Sequence, residues 1–550
     1  MRRMDRRAFL RTGVGAMGAI ALASCTTTRE ESPEAGRAVD PSRPSPRPTI
    51  RASVALDFGL PSPFNYLGAP GYQLMTLVYD TLLQEDVDGK MLPLLASRYQ
   101  RSPDGLVYTF ELRDNVRWQD GRPLTVDDVK FTFDYFRSQT LASQLVAVPR
   151  DVANVRVVDP RTVEVRLEKP AVTFPRNVAA LLPIVPRHVW SAIPNAAEAS
   201  RPEVVMGSGP YRLQSYTSGE GTYLFVANDD YHLGKPFVKR VEMRPVGDDL
   251  TALQAGEIDV GSTDVFGVPP ETLAPFRTDP AFGVQEFKSA IAIPLRWNVG
   301  RGGALGDVRF RQACARAIDR NDIVQRLTKG SALPGNPGYL SPTSEWHVEV
   351  EQYPHDPGLA NRLLDEAGYA RSGSGVRQGP DGRPLRFSLT VVSGIPAVLE
   401  LVVAAMKGIG VEVVPKQVPL INVLGDEDYD MLVGFDGDLS GKSDPDHLRL
   451  VYSSTSDVFQ HPKGYANQQM DQLLERQVVT IDDAERRRLV AEIQQIAARD
   501  LPVLPLYYPT TYSIFRRQAF DQWGEGLSLT EQRRNLMTGL KSGITIRPGT

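Results

Sequence analysis

Cysteine and histidine are scarce in this chain, with two and six copies in 550 residues. Cys25 and Cys314 cannot form a disulfide framework, and the scattered histidines (188, 232, 347, 355, 447 and 461) form no cluster with metal-ligand spacing. The chain has no HExxH pair and no phosphate-cradling glycine loop. Gly207-Ser208-Gly209 falls short of the G-x-S-x-G nucleophile elbow. No apolar run reaches the ~20 residues of a membrane span. Nor is basic charge in excess: the formal net charge is −4, and it becomes −8 once residues 1–24, with five Arg and one Asp, are set aside. A nucleic-acid partner would need a basic face, so none is expected. The expectation is a chain without metal, cofactor or catalytic constellation.

What is present begins at the amino terminus. Arg6-Arg7-Ala8-Phe9-Leu10 precedes a short apolar run from Val14 to Leu22, and then comes Leu22-Ala23-Ser24-Cys25. The run is too short and too rich in Gly and Ala for a span, so it reads as a signal-peptide core. The paired arginines resemble a twin-arginine export signal, and Leu-Ala-Ser-Cys resembles a bacterial lipobox. Together they imply removal of residues 1–24 and lipid on Cys25. An ordinary signal with a chance cysteine is the alternative. Residues 25–49 are rich in Pro and Ser and nearly devoid of apolar side chains, the composition of a disordered tether. Its reach would be about 25–30 Å.

The body that follows is too long for one core. Strand-like Ile50–Leu56 precedes a loop, Asp57 to Asn65, and a helix around Gln73–Leu83. Val107–Leu112 alternates as a strand, and Val155–Val158 with Val163–Leu167 reads as a hairpin around Asp159-Pro160-Arg161. Thr125 and Asp128 have the spacing of a capping box. Further helices are expected at Arg309–Ala317, Pro357–Ala367, Gln468–Val479 and Asp483–Arg499. In the last of these Leu489, Ile493, Ile496 and Ala497 share a face. Strands interleave with helices throughout, which predicts α/β or α+β lobes.

Four blocks carry a resemblance. The first runs from Val78-Tyr79-Asp80-Thr81-Leu82 through Ser102-Pro103-Asp104-Gly105 to Leu124-Thr125-Val126-Asp127-Asp128-Val129. The second is Gly207-Ser208-Gly209-Pro210-Tyr211, with Ala227-Asn228-Asp229-Asp230-Tyr231 and Leu253-Gln254-Ala255-Gly256-Glu257-Ile258-Asp259. The third is Asp307-Val308-Arg309-Phe310-Arg311-Gln312-Ala313 with Ala317-Ile318-Asp319-Arg320. The fourth is Asp444-Pro445-Asp446 and the helical region up to Leu501-Pro502-Val503-Leu504-Pro505-Leu506-Tyr507. In this order, from about residue 50 to about 535, they resemble the extracytoplasmic solute-binding proteins, family 5, of oligopeptide, dipeptide and nickel ABC importers.

The resemblance implies an α/β, two-lobed periplasmic-binding-protein fold with the ligand cleft between lobes joined by two hinge strands. Lobe I would comprise 50–85, 205–285 and 508–540, with an extra subdomain at 86–204, and lobe II 290–505. It implies an extracytoplasmic monomer, in the periplasm or on the outer face of the cytoplasmic membrane and lipid-anchored at Cys25. That monomer would deliver short peptides to ABC permease subunits and do no chemistry on them. The alternatives are the same fold with a nickel chelate, a sugar or another small solute, and, from another class, a secreted hydrolase. His447 near the cleft keeps the chelate open.

Carried onto this chain, an acidic residue after the strand Tyr429–Gly434 would hold a peptide's amino group. Asp438 falls closest to that position and Asp436 next, the other reading being a solvated acidic loop with Asp444 and Asp446. Two features depart from the family pattern: Ser440-Gly441-Lys442-Ser443 looks inserted before Asp-Pro, and Phe435 stands where tryptophan is common. Trp297-Asn298 matches a family asparagine that bonds ligand backbone, and alternation puts Arg296 and Asn298 on one face. On the first lobe Leu60 or Phe64 would line the cleft or equally be core. Cys314, on an apolar helix face with Phe310, Ala313, Ala317 and Ile318, is expected to be buried and inert.

Overall fold

The computed structural model describes residues 49–519 except 67, 86–89, 140–150, 237, 263–266, 289–290, 374, 393–395, 419–427 and 437–443. Two large mixed sheets organise it. The first has seven strands in the order Phe282–Lys288, Thr510–Arg516, Val260–Ser262, Thr49–Val54, Arg240–Pro245, Thr222–Ala227, Tyr211–Thr217. The second has six, in the order Leu333–Pro334, Val503–Tyr508, Ile293–Trp297, Met431–Val433, Arg386–Val392, Glu412–Val418. The result is the mixed α/β, two-lobed architecture expected from the sequence.

The chain passes between these sheets twice, and the two passages lie side by side. Lys288 pairs with Thr510 at the end of the first sheet, and Ile293 pairs with Tyr507 at the start of the second. The strand Val503–Tyr508 is buried along its whole length, as a strand flanked on both faces must be.

A separate antiparallel sheet is formed by Ala96–Arg101, Val107–Leu112, Thr162–Leu167 and Val152–Val157. The expected hairpin is there: Val157 faces Val163, and the Asp159 carboxylate accepts from the Arg161 and Thr162 N–H groups at 2.8 and 2.9 Å. The helix Val126–Ser138 starts at Thr125, whose N–H donates to Asp128 at 2.9 Å. In the helix Asp483–Asp500, Leu489, Ile493, Ile496 and Ala497 are all buried.

The expected helix over 73–83 is instead Gly68–Met75, followed by a hydrogen-bonded turn over 76–78 and then by non-helical chain up to the strand Leu83–Glu85. Backbone competition explains the difference. The N–H groups of Gly209 and Tyr211 donate to the carbonyls of Val78 and Leu77 at 2.7 and 2.9 Å. A Cβ on Gly207 would stand 2.1 Å from the Val78 oxygen, so only glycine permits this approach.

Candidate functional site in the second lobe

The strand Ile293–Trp297 begins the second lobe directly after the first passage. Ile293, Leu295 and Trp297 point into the lobe's apolar core, Trp297 with no exposed surface. Arg296 points to the other face by alternation, and there its guanidinium is ion-paired with Asp436, both side chains being fully buried. Burial opposes the charge on Arg296, and the adjacent Asp436 carboxylate, together with Tyr339 and Tyr429, more than restores it, leaving the guanidinium above its ordinary range. Arg296 also donates from Nε to the Gln460 carbonyl at 3.1 Å and lies 5.8 Å over the Phe459 ring.

Asp436 is held by three partners. Its backbone exchanges hydrogen bonds with Ala292 at 2.8 and 2.9 Å, which ties it to the passage between the lobes. Its second carboxylate oxygen accepts from the Tyr339 hydroxyl at 2.6 Å. Burial raises the Tyr339 hydroxyl well above its ordinary pKa, so it remains a donor. Tyr339 adopts φ 78°, a left-handed conformation that a tyrosine rarely takes, and its carbonyl accepts from the Tyr508 hydroxyl at 2.7 Å. The Tyr339 oxygen also lies 3.4 Å from His447 Nε2, and Tyr452 packs edge-on against the Tyr339 ring. Sequence reasoning missed Tyr339; its one signal was a bulky residue directly after the turn-forming Asn336-Pro337-Gly338.

Asn298 lies on the Arg296 side of the strand, nearly buried. Its Nδ2 donates to the Tyr429 carbonyl at 2.9 Å, and its N–H donates to the Asp430 carbonyl at 2.9 Å. Phe435 is half-buried and packs on the second-lobe core. Asp444 and Asp446 are not solvated: they are 9 % and 6 % exposed and are bonded to Arg486 and Arg449. On the first lobe Leu60 is buried, and Phe64 packs among Phe136 (4.6 Å), Trp190 (4.8 Å) and Tyr135 (5.5 Å) in the core. The structure therefore brings Asp436, Phe435, Asn298 and Trp297 together in one lobe and packs Leu60 and Phe64 in the other. Asp438, Arg6, Arg7 and Cys25 lie outside the described residues.

Gly207-Ser208-Gly209 is a structural corner. The Ser208 hydroxyl is buried and donates to Asp80 at 3.4 Å, and the His232 ring reaches the same carboxylate at 3.2 Å. Serine and histidine thus meet through the acid, not each other, which is not the order of a nucleophile and its base. No helix among the described residues is long and apolar enough to cross a membrane, and none of their acidic, His or Cys side chains form a group able to hold a metal ion.

Comparison with known proteins agrees with this geometry. The family model for bacterial extracellular solute-binding proteins, family 5 Middle, matches residues 90–459. Protein XP55 of Streptomyces lividans is 30% identical over 490 residues, covering 86% of this chain and 85% of that protein. The oligopeptide-binding protein AppA of Bacillus subtilis is 25% identical over 485 residues, covering 84% and 86% respectively. The crystal structure of NikZ from Campylobacter jejuni in complex with Ni(L-His) superposes with a TM-score of 0.75 at 25% identity, covering 86% of this chain and 94% of that one. Two sheets linked by two adjacent passages, with a sequence match that runs across both, place the chain in family 5 of the bacterial extracellular solute-binding proteins.

Proposed function

We propose that this chain captures short peptides between its lobes and hands them, chemically unchanged, to the permease subunits of an ABC importer. The pair of adjacent passages at Lys288–Thr510 and Ile293–Tyr507 carries this reading, because two short links lying side by side and running in opposite directions let two rigid lobes rotate about one axis. The name of the AppA relative, an oligopeptide-binding protein, supports the ligand class. A peptide held in extended form offers backbone groups common to every sequence, so one site serves many peptides. Closure over it removes water and strengthens each charged hydrogen bond.

In this reading lobe I comprises 50–85, 205–285 and 508–540, the subdomain 86–204, and lobe II 290–505. Asp438 neutralises the peptide's ammonium group; Asp436, already paired with Arg296, fixes the strand end from which that loop departs. Asn298, oriented by its bond to Tyr429, meets a peptide unit. The protein works as a monomer outside the cytoplasmic membrane, exported through Arg6-Arg7 and held by lipid on Cys25. Mass spectrometry of material released from the purified protein by denaturation tests the ligand class. Short peptides are expected, and a single non-peptide solute would refute it.

A second reading has an observation of its own. His447 stands 3.4 Å from the Tyr339 hydroxyl on the Asp436 wall, a place from which an imidazole could meet a metal chelate, and the NikZ structure holds Ni(L-His). Nickel in the released material, at one atom per chain, would favour it.

A further inference from the structure

The sequence motif Asp444-Pro445-Asp446 is left without a role by the ligand site. Both acids receive side chains from a distant part of the chain. Arg176 Nη1 lies 3.7 Å from an Asp444 oxygen, and Asn177 Nδ2 donates to Asp446 at 2.7 Å. These two neighbours belong to a five-residue π-helical turn, Pro175–Ala179, in which the Ala180 N–H donates to the Pro175 carbonyl at 2.9 Å. Such wide turns are uncommon and occur frequently at functional positions.

Arg176 faces both ways. Its other guanidinium nitrogen lies 3.0 Å from Glu85, whose side chain is 2 % exposed and which stands in the strand Leu83–Glu85. Two further contacts follow the same line. The Val172 N–H donates to the Val478 carbonyl at 2.9 Å, and Lys169 pairs with Glu475 at 3.3 Å. Segment 169–177 thus runs as a strap against the second-lobe helix Gln468–Val479. On the second-lobe side the acids are fixed in advance: Arg486 donates to Asp444 at 2.8 Å and to Gln477, and Gln477 donates in turn to Asp446.

We infer that Arg176 and Asn177 are positioning residues that set solute affinity by latching the subdomain at 86–204 to the Asp444-Pro445-Asp446 corner of the second lobe, without touching the solute. The inference rests on the proposed binding by lobe closure. Contacts made only when the lobes approach raise the population of the closed form, and apparent affinity falls in proportion when that population falls. Hydrogen bonds to charged partners are the strong ones, and half-buried positions screen them less than open surface does.

The test compares the unaltered protein with Asn177→Ala and with the double variant Glu85→Gln/Arg176→Met, which leaves no orphaned carboxylate in the first lobe. Small-angle scattering without solute reads closure directly. Calorimetry and stopped-flow release with a mixture of di- to pentapeptides read affinity. Both variants should show a larger radius of gyration, about 10- to 100-fold weaker binding with faster release, and unchanged unfolding midpoints. Arg176→Lys, which keeps the charge but not the fork, should fall between. An unchanged radius of gyration overturns the inference, whether affinity is kept or lost. If no peptide binds any of the proteins, the peptide reading fails and the scattering comparison still decides the latch.

Discussion

Arg296 and Asp436 form an ion pair with no exposed surface on either side chain, between the strand that opens the second lobe and the segment that follows the strand Met431–Val433. Removing one partner of such a pair strands a buried charge, which is worse than removing both. Arg296→Met should lower the stability of the protein by ~3–5 kcal/mol. Arg296→Met/Asp436→Asn keeps an acceptor for Tyr339 and should recover most of that loss. Urea unfolding of the three proteins checks this; equal losses in the single and double variants would show that the charge is not the issue.

Gly207 and Gly209 lie against the Val78 peptide group, where an added Cβ would come within 2.1 and 2.6 Å of backbone atoms. Backbone cannot step aside as a flexible side chain can. Gly207→Ala should therefore destabilise by more than ~3 kcal/mol or give little soluble protein, whereas Gly219→Ala, with open space around it but φ 82°, should lose about 1 kcal/mol. Chemical denaturation of the two variants gives the comparison.

The capping box at Thr125, the hairpin at Asp159 and the apolar face of Asp483–Asp500 were legible because each is written in residues a few positions apart. The helix expected to reach Leu83 failed because its second half is claimed by a backbone partner at Gly207–Tyr211, more than a hundred residues away. The candidate site was partly legible for the same reason. Alternation put Arg296 and Asn298 on one face. It could not reveal that Asp436 is engaged by Arg296 and Tyr339, or that Asp444 and Asp446 meet Arg176 and Asn177.

Asp57 gives the first lobe an acid-sensitive clasp. Burial alone would raise its pKa, but the Gly219 and Gly59 N–H groups and the Tyr216 and Tyr223 hydroxyls donate to it and hold it below the ordinary carboxylate range. A lowered folded pKa adds stability that is complete above the unfolded value, near pH 4, and is lost as pH falls through the folded value. Asp57→Asn should flatten this part of the pH profile below about pH 4 and leave the slope above it unchanged. Urea midpoints between pH 2.5 and 7 measure it; parallel profiles for both proteins would contradict the assignment.

Cys314 is fully buried on the helix Val308–Ala317, and burial pushes its thiol well above the usual range. The thiolate is the reactive species, so a thiol reagent at pH 8 should modify Cys314 only as fast as the lobe unfolds. Labelling within seconds in native buffer would count against this packing.

Export and anchoring are checked in cells. Arg6-Arg7 changed to Lys-Lys should leave precursor in the cytoplasm, and Cys25→Ala should abolish lipid labelling and release the protein from the membrane. Lipid labelling that persists in the Cys25→Ala protein would end that part of the account.

Calorimetry with free and N-acetylated di- to pentapeptides, on the unaltered protein and on Asp438→Ala, tests the central claim most directly. A buried ammonium group that loses its carboxylate forfeits ~2–5 kcal/mol, so Asp438→Ala should bind free peptides about 30- to 4000-fold more weakly. Acetylated peptides should bind the unaltered protein as poorly as free peptides bind the variant. Peptides that fail to bind at all, while a nickel chelate, a sugar or another solute binds the same preparation, would contradict the account.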